Sequence, residues 1–359
     1  MQTNIRSVIA GTGSYVPDKI ITSNHFINHR FFEKDGRPVA KSNPVILEQF
    51  KNITEIEERR YAREDQNTSD LGFLAAKDAL KSSGIDAETL DYIIVAHNFG
   101  DVAEGTNRVD MVPTLAARVK QLLQIKNPDC VAYDLPFGCP GWVEGMIQAN
   151  YFIKSGDAKR CLVIGAETLS RIIDPHDRDS MIYADGAGAV ILEAATDTEK
   201  GIIAHKTQSH AVDYANLLTM GKSYSTDSNS DPNLYIKMNG RKLYEYALIH
   251  VPQVIKMALD KADTNLYAIK KVLIHQANGK MDTAIMQRVF GLYGEKEFDP
   301  SIMPMNIAHY GNSSVATIPT LLDCILKGEM SGQTINEGDK ILFASVGAGM
   351  NINAVVYQN

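Results

Sequence analysis

Apolar runs of strand length alternate with amphipathic runs of helix length along almost all of the 359 residues, and the rhythm repeats. In the first half, strand-like stretches read at Ser7–Val16, Leu90–Ala96, Cys130–Leu135, Arg160–Gly165 and Gly186–Ala194. In the second half they read at Gly201–Thr207, Lys271–His275, Lys340–Val346 and Asn351–Tyr357, with a long helical pattern over Gly240–Lys261. Strands alternating with helices give an α/β fold with largely parallel sheets. About five strands in each half imply a structural duplication, although the residue identities do not repeat. With 44% hydrophobic residues, the chain can bury a large core.

Composition excludes several functions. The net charge is −7 with signs mixed, and no basic stretch would track a nucleic acid backbone. Cys130, Cys139, Cys161 and Cys324 are widely spaced without a C-x-x-C pair, which argues against zinc and against a disulfide framework. No 18-residue apolar run or signal-type apolar segment is present, so the expectation is no membrane span and a cytoplasmic protein. GTGSYV (11–16) lacks the third glycine of a dinucleotide fingerprint. Residues 17–48 read as an irregular surface insertion or lid, EIEERRYARED (55–65) as a solvated face, and 221–233 as a polar loop. Ser69 can cap the helix that follows it.

PFGCPGW (136–142) places Cys139 on a strand-to-helix turn. Unpaired N–H groups and the helix dipole favour a thiolate there, as an activated nucleophile requires. The competing reading is a small buried core residue. Gly141, Gly145 and Ala149 share one helix face, which predicts a buried helix with another packed closely on it and Cys139 at the end of a tunnel. His275 ends a buried strand and opens HQAN, Asn312 lies in HYGNSS, and Gly347-Ala348-Gly349 follows another buried strand. Each alone reads more simply as structure. Asp185, in ADGAG, reads as a carboxylate satisfying backbone N–H groups in a tight turn.

Together, GCPG, HQAN, YGNSS with its following helix, DRDSMIYADGAGAV, ITEIEERRYA and the final glycine turn resemble the thiolase-fold condensing enzymes. The nearest branch is β-ketoacyl-acyl-carrier-protein synthase III. The resemblance covers about Val8 to Tyr357. It implies a thiolase-like fold of two duplicated βαβαβαββ halves in five αβαβα layers: residues 1–198 carrying the nucleophilic Cys139, and 199–359 carrying His275 and Asn312. It also implies that Cys139 takes an acyl group from a carrier-protein or coenzyme A thioester. A malonyl-type or β-ketoacyl thioester then condenses with it, in fatty-acid or polyketide-like biosynthesis. His275 and Asn312 would stabilise the negative charge that develops, and the N–H groups of Cys139 and Ala348 would form the oxyanion hole. Gly347 and Gly349 would shape the substrate site. Phe50 stands where the family often has a tryptophan proposed to stack on the adenine of coenzyme A, which favours carrier-protein donors. Pro140, following the nucleophile, also departs from the family. No metal or redox cofactor is required, and a homodimer is implied.

Three alternatives remain at this level. The protein could be a specialised non-decarboxylating or ring-forming member, as in dialkylresorcinol pathways. It could be a non-catalytic subunit of a heterodimer, a reading opposed by the presence of all three side chains. A cysteine hydrolase would share the order Cys, His, Asn, but the alternating α/β pattern does not suit it.

Overall fold

The structure, a computed structural model, describes residues 5–226 and 231–359. Two sheets organise it. The first comprises β1 (Arg6–Tyr15), β2 (Tyr92–His97), β3 (Val131–Pro136), β4 (Arg160–Thr168) and β5 (Asp185–Ala195), in the order β1-β5-β4-β2-β3. The second comprises β6 (Gly201–Ser209), β7 (Ile269–Ile274), β8 (Lys340–Gly347) and β9 (Asn351–Gln358), in the order β6-β9-β8-β7. In both, the first and last strands are antiparallel, as are the last and penultimate. The penultimate is parallel to the next. The chain therefore traces one path twice, and among the described residues the second sheet has no counterpart of the edge strand β3.

Among the described residues, helices α2 (Thr68–Ser83), α3 (Leu115–Leu122), α4 (Gly141–Ser155), α5 (Gly240–Lys261), α6 (Gly279–Gly291) and α7 (Thr317–Leu326) form the layers on these sheets, and α1 (Asn43–Thr54) lies against α6 outside them. Strand side chains alternate between faces, so a strand apolar throughout must be covered on both. In β2, Ile93 and Val95 pack with α2 and α3, whereas Ile94 and Ala96 pack with Trp142 and Met146 of α4. In β8, Leu342 and Ala344 face Val251 and Val254 of α5, and Ile341 and Phe343 face the centre. The layers are thus α2/α3, first sheet, α4/α7, second sheet, α5/α6.

Four local expectations change. The small-residue stripe of α4 lies against the first sheet rather than another helix: a Cβ at Gly145 would come 2.7 Å from Val163 Cγ1, and one at Gly141 3.0 Å from Ala96 Cβ. Asn67, not Ser69, caps α2, in a capping box with Asp70. Ser69 instead bonds Asp101 through its N–H and hydroxyl, at 2.8 and 2.6 Å. The charged stretch 55–65 is only partly solvated, because Arg59 is fully buried and donates to the Met181 and Ile21 carbonyls. Residues 17–48 are not loose surface: Ile21, Phe26, Phe31, Ile46 and Leu47 form a small apolar cluster that seats α1. Residues 227–230 of the polar loop 221–233 lie outside the described residues. Its flanks continue a hairpin in which Leu218–Gly221 pairs with Tyr235–Met238.

Candidate active site

Strand β3 leads into a tight turn in which the Gly141 N–H donates to the Gly138 carbonyl at 2.9 Å, and α4 leaves it. Gly138 has φ 73°, a left-handed conformation that glycine adopts without cost. A Cβ there would lie 2.9 Å from the Ala348 amide nitrogen, and a Cβ at Gly347 would lie 2.7 Å from the Cys139 amide nitrogen. The Cys139 turn and the glycine turn at the end of β8 are therefore pressed together, and glycine is required on both sides of the contact. This brings the Cys139 and Ala348 amides into one neighbourhood.

His275 continues β7 by one residue, its N–H donating to the Ala344 carbonyl at 2.8 Å. Its Nδ1 lies 2.8 Å from Thr317 Oγ1, and that hydroxyl donates to the Ser314 carbonyl at 3.0 Å. A hydroxyl has one proton to give. With it on Ser314, Nδ1 carries the imidazole proton and Nε2 is the basic nitrogen. Burial lowers the His275 pKa to about 4, so the ring is neutral. Asn312 is pinned by its backbone, N–H to the Ile182 carbonyl and carbonyl to the Ala184 N–H. The Ser314 N–H donates to Asn312 Oδ1 at 2.8 Å, which leaves the Nδ2 hydrogens free to turn elsewhere. Gly311, with φ 70°, permits this placement, since a Cβ there would come 2.7 Å from Arg59 Cβ.

Cys139, His275 and Asn312 all line one cavity of about 480 Å³. Its wall is largely apolar, formed by Ile46, Phe50, Met181, Leu243, Met281 and Val346 among others. It reaches the surface at Lys41, Ile53, Arg241 and Tyr244, which are exposed, so Cys139 lies in a pocket open to solvent. Phe50 and Gly347 are in the wall, whereas Gly349 is not among the lining residues and turns the chain beyond it with φ 75°. Phe50 is half-buried, its ring centroid 5.7 Å from the Arg59 guanidinium carbon, and forms part of the wall.

The thiol departs from expectation. Cys139 keeps some exposed surface, but burial pushes its pKa up to about 11, with the charge of Glu167 acting the same way and the Ser314 hydrogen bond opposing it. The loss of water outweighs the hydrogen bond from Ser314, so the resting sulfur is protonated. Asp185 accepts from Ala62 N–H, Ser170 N–H and Ser170 Oγ at 2.7, 2.8 and 2.6 Å, a structural role. Cys130, Cys161 and Cys324 are buried and unpaired. Sequence reasoning did not single out Ser314, Thr317, Asn98 and Glu167. The first two lie in or just after YGNSS, and the others end buried strands of the first sheet, where α/β proteins gather their sites.

A duplicated αβαβα fold with a cysteine at the turn leading into the central helix layer defines the thiolase-fold condensing class. Residues 133–211 match the 3-oxoacyl-[acyl-carrier-protein] synthase III family, and residues 259–359 match its C-terminal part. The β-ketoacyl-[acyl-carrier-protein] synthase III of Erythrobacter litoralis is 32% identical over 353 residues, covering 98% of both chains. That of Rhodobacter capsulatus is 33% identical over 357 residues, again 98% of both. The solved 3-oxoacyl-[acyl-carrier-protein] synthase III of Aquifex aeolicus VF5 is 29% identical, with a TM-score of 0.78 over 98% of this chain and 100% of that one. The priming β-ketosynthase of the R1128 polyketide pathway, 21% identical, shares the fold with a TM-score of 0.81 over 100% of this chain and 97% of that one. The chain belongs to the 3-oxoacyl-[acyl-carrier-protein] synthase III family and is an acyltransferase of the condensing type. Among the described residues, no helix is long and apolar enough to cross a membrane.

Proposed function

We propose that the protein joins a Cys139-bound acyl group to a malonyl-type carrier thioester, and that Cys139, His275 and Asn312 carry the reaction. One observation carries this reading: three side chains from distant segments meet in a single cavity that opens to the surface. In the first half-reaction, Cys139 Sγ attacks the donor thioester carbonyl while its proton passes to His275 Nε2. The proton then goes to the departing carrier thiol as the acyl–cysteine bond forms. The N–H groups of Cys139 and Ala348 face the oxyanion. In the second half-reaction, the C–CO₂ bond of the malonyl group breaks, CO₂ leaves, and the electron pair builds charge on the thioester oxygen. Asn312 Nδ2 donates to that oxygen. His275 joins it in the tautomer where Thr317 Oγ–H turns to Nδ1 and Nε2 carries the proton. The carbanion attacks the acyl carbon, the Cys139 sulfur leaves as a thiolate, and a proton from water restores the thiol. Neither half-reaction calls for a metal or redox group.

The rim supports an anionic thioester carrier, because Lys41, Arg178 and Arg241 all line the cavity. Arg178 and Arg241 also pair with Glu33 and Glu245, at 3.2 and 3.1 Å. The apolar wall suits a hydrocarbon acyl chain. The outer side of β3, beyond which the described residues place no strand, and the exposed Val131 and Val112 support a homodimer built on that edge.

Intact-mass spectrometry after incubation with acyl-carrier thioesters tests the reading. The wild type gains one acyl group and Cys139→Ala gains none. Asn312→Ala still acylates but loses about 10²–10³-fold in carbon–carbon bond formation. His275→Ala is slowed in both steps. An adduct of equal size on Cys139→Ala, or wild-type condensation by Asn312→Ala, overturns the assignment.

A further inference from the structure

A hydrogen-bonded chain behind the thiol is not used by the reaction just described. The Ser314 hydroxyl donates to Cys139 Sγ at 3.2 Å. Asn98 Nδ2 donates to Ser314 Oγ at 2.9 Å and also to Glu167 Oε1. The same carboxylate oxygen accepts the Asn98 backbone N–H at 2.7 Å. An amide NH₂ has two protons, and both are committed here, one to each neighbour. The bond arriving at Ser314 Oγ occupies an acceptor side of that oxygen, which leaves its own proton for the sulfur. Ser314 is also held at φ 54°, a backbone conformation uncommon for serine, while its N–H fixes Asn312.

We propose that Ser314 is a direct hydrogen-bond donor to the reacting sulfur, and that Asn98 and Glu167 are positioning residues that fix the direction of its hydroxyl. The proposal rests on Cys139 being the nucleophile. The bond strengthens as the sulfur becomes an anion, because bonds to ionised acceptors are about twice as strong as neutral ones. It therefore favours thiolate over thiol in a pocket whose burial does the reverse. The chain orients and does not conduct: an amide nitrogen donates without taking a proton on.

Glu167 acts in two opposed ways. Its oxygen holds Asn98, which serves the thiolate. Its charge, buried near the sulfur, works against the thiolate. The titratable groups facing the sulfur are Glu167 at the end of β4, Tyr183 in the cavity wall and His275 after β7. His97 and Asp185 in turn face Glu167.

The pH dependence of iodoacetamide alkylation on the full chain tests this, with the labelled residue identified by peptide mapping. The thiolate forms the new carbon–sulfur bond and iodide leaves, so the midpoint reports the ionisation of Cys139. Ser314→Ala moves the midpoint to higher pH and slows labelling below it about tenfold. Asn98→Ala moves it the same way, and Ser314→Thr restores it. Glu167→Gln keeps a carbonyl acceptor for Asn98 but removes the charge, so its midpoint falls and labelling quickens. A merely structural role gives no such opposition of sign. An unchanged midpoint in Ser314→Ala overturns the proposal, as does a Glu167→Gln shift in the direction of Asn98→Ala. Glu167→Gln matches the native side chain in shape, so its midpoint tests the proposal even where an alanine variant fails to fold. A Cys139 that labels but is never acylated by a thioester would defeat the functional reading while leaving the midpoints readable.

Discussion

At the scale of the residue, burial decides the charge of each group in the cavity. His275 is neutral because its folded pKa lies near 4, against about 6.5 for a free imidazole. Between those values the unfolded chain binds a proton and the folded chain does not, so acidification from pH 6.5 towards 4 destabilises the fold through this group. The contribution is fully present above pH 6.5 and amounts to roughly 3 kcal/mol. Glu167 and Asp185, raised by burial to about 7 and about 6, act with the opposite sign, so the whole-protein profile does not isolate His275. The difference between wild type and His275→Ala in urea unfolding does. It is expected to shrink as the pH falls from 7 to 4, and a pH-independent difference would contradict the lowered pKa. Cys139, His275 and Asn312 were legible as candidates in the sequence only through the combined resemblance of GCPG, HQAN and YGNSS to one family, since each alone reads as structure. The ionisation of the thiol was not, because it depends on how many distant segments remove water from the sulfur.

At the scale of the element, α4 owes its position to glycine. Its Gly145 face meets Val163 of β4, and an added Cβ would press on the Val163 methyl at 2.7 Å. Gly145→Ala is expected to lower stability by about 1–3 kcal/mol through overpacking, despite alanine's better helix propensity. Adding Val163→Ala removes the offending methyl, so the double variant is more stable than the sum of the two single losses. Thermal or urea unfolding of the four proteins measures this coupling, and simple additivity would place the contact elsewhere. The sequence revealed the small-residue stripe but not its partner, since a helix stripe fits a sheet as well as a helix. The span Gly240–Lys261 was legible to the residue because its apolar period runs unbroken. The segment 17–48 was not, because its few apolar residues pack across a turn and carry no period.

At the scale of the molecule, the repeated strand rhythm announced the duplicated architecture, and two-sided burial of its strands explains why they read as continuous apolar runs. What the rhythm could not announce was the edge. Strand β3 closes one side of the first sheet with no described strand beyond it, and Val112 is 87% exposed. If the proposed dimer forms on this edge, Val112→Asp is expected to shift the protein from dimer to monomer in analytical ultracentrifugation. A wild type that sediments as a monomer at micromolar concentration would remove the dimer.

The contact between the Gly138–Cys139 turn and the Gly347–Ala348 turn joins parts of the chain made far apart in time. A ribosome produces the sulfur long before it produces the loop that seats against it. Until the last two strands have zipped together, the Ala348 amide of the proposed oxyanion pair is not in place. If Cys139 is the nucleophile as proposed, the growing polypeptide carries it before its full surroundings exist.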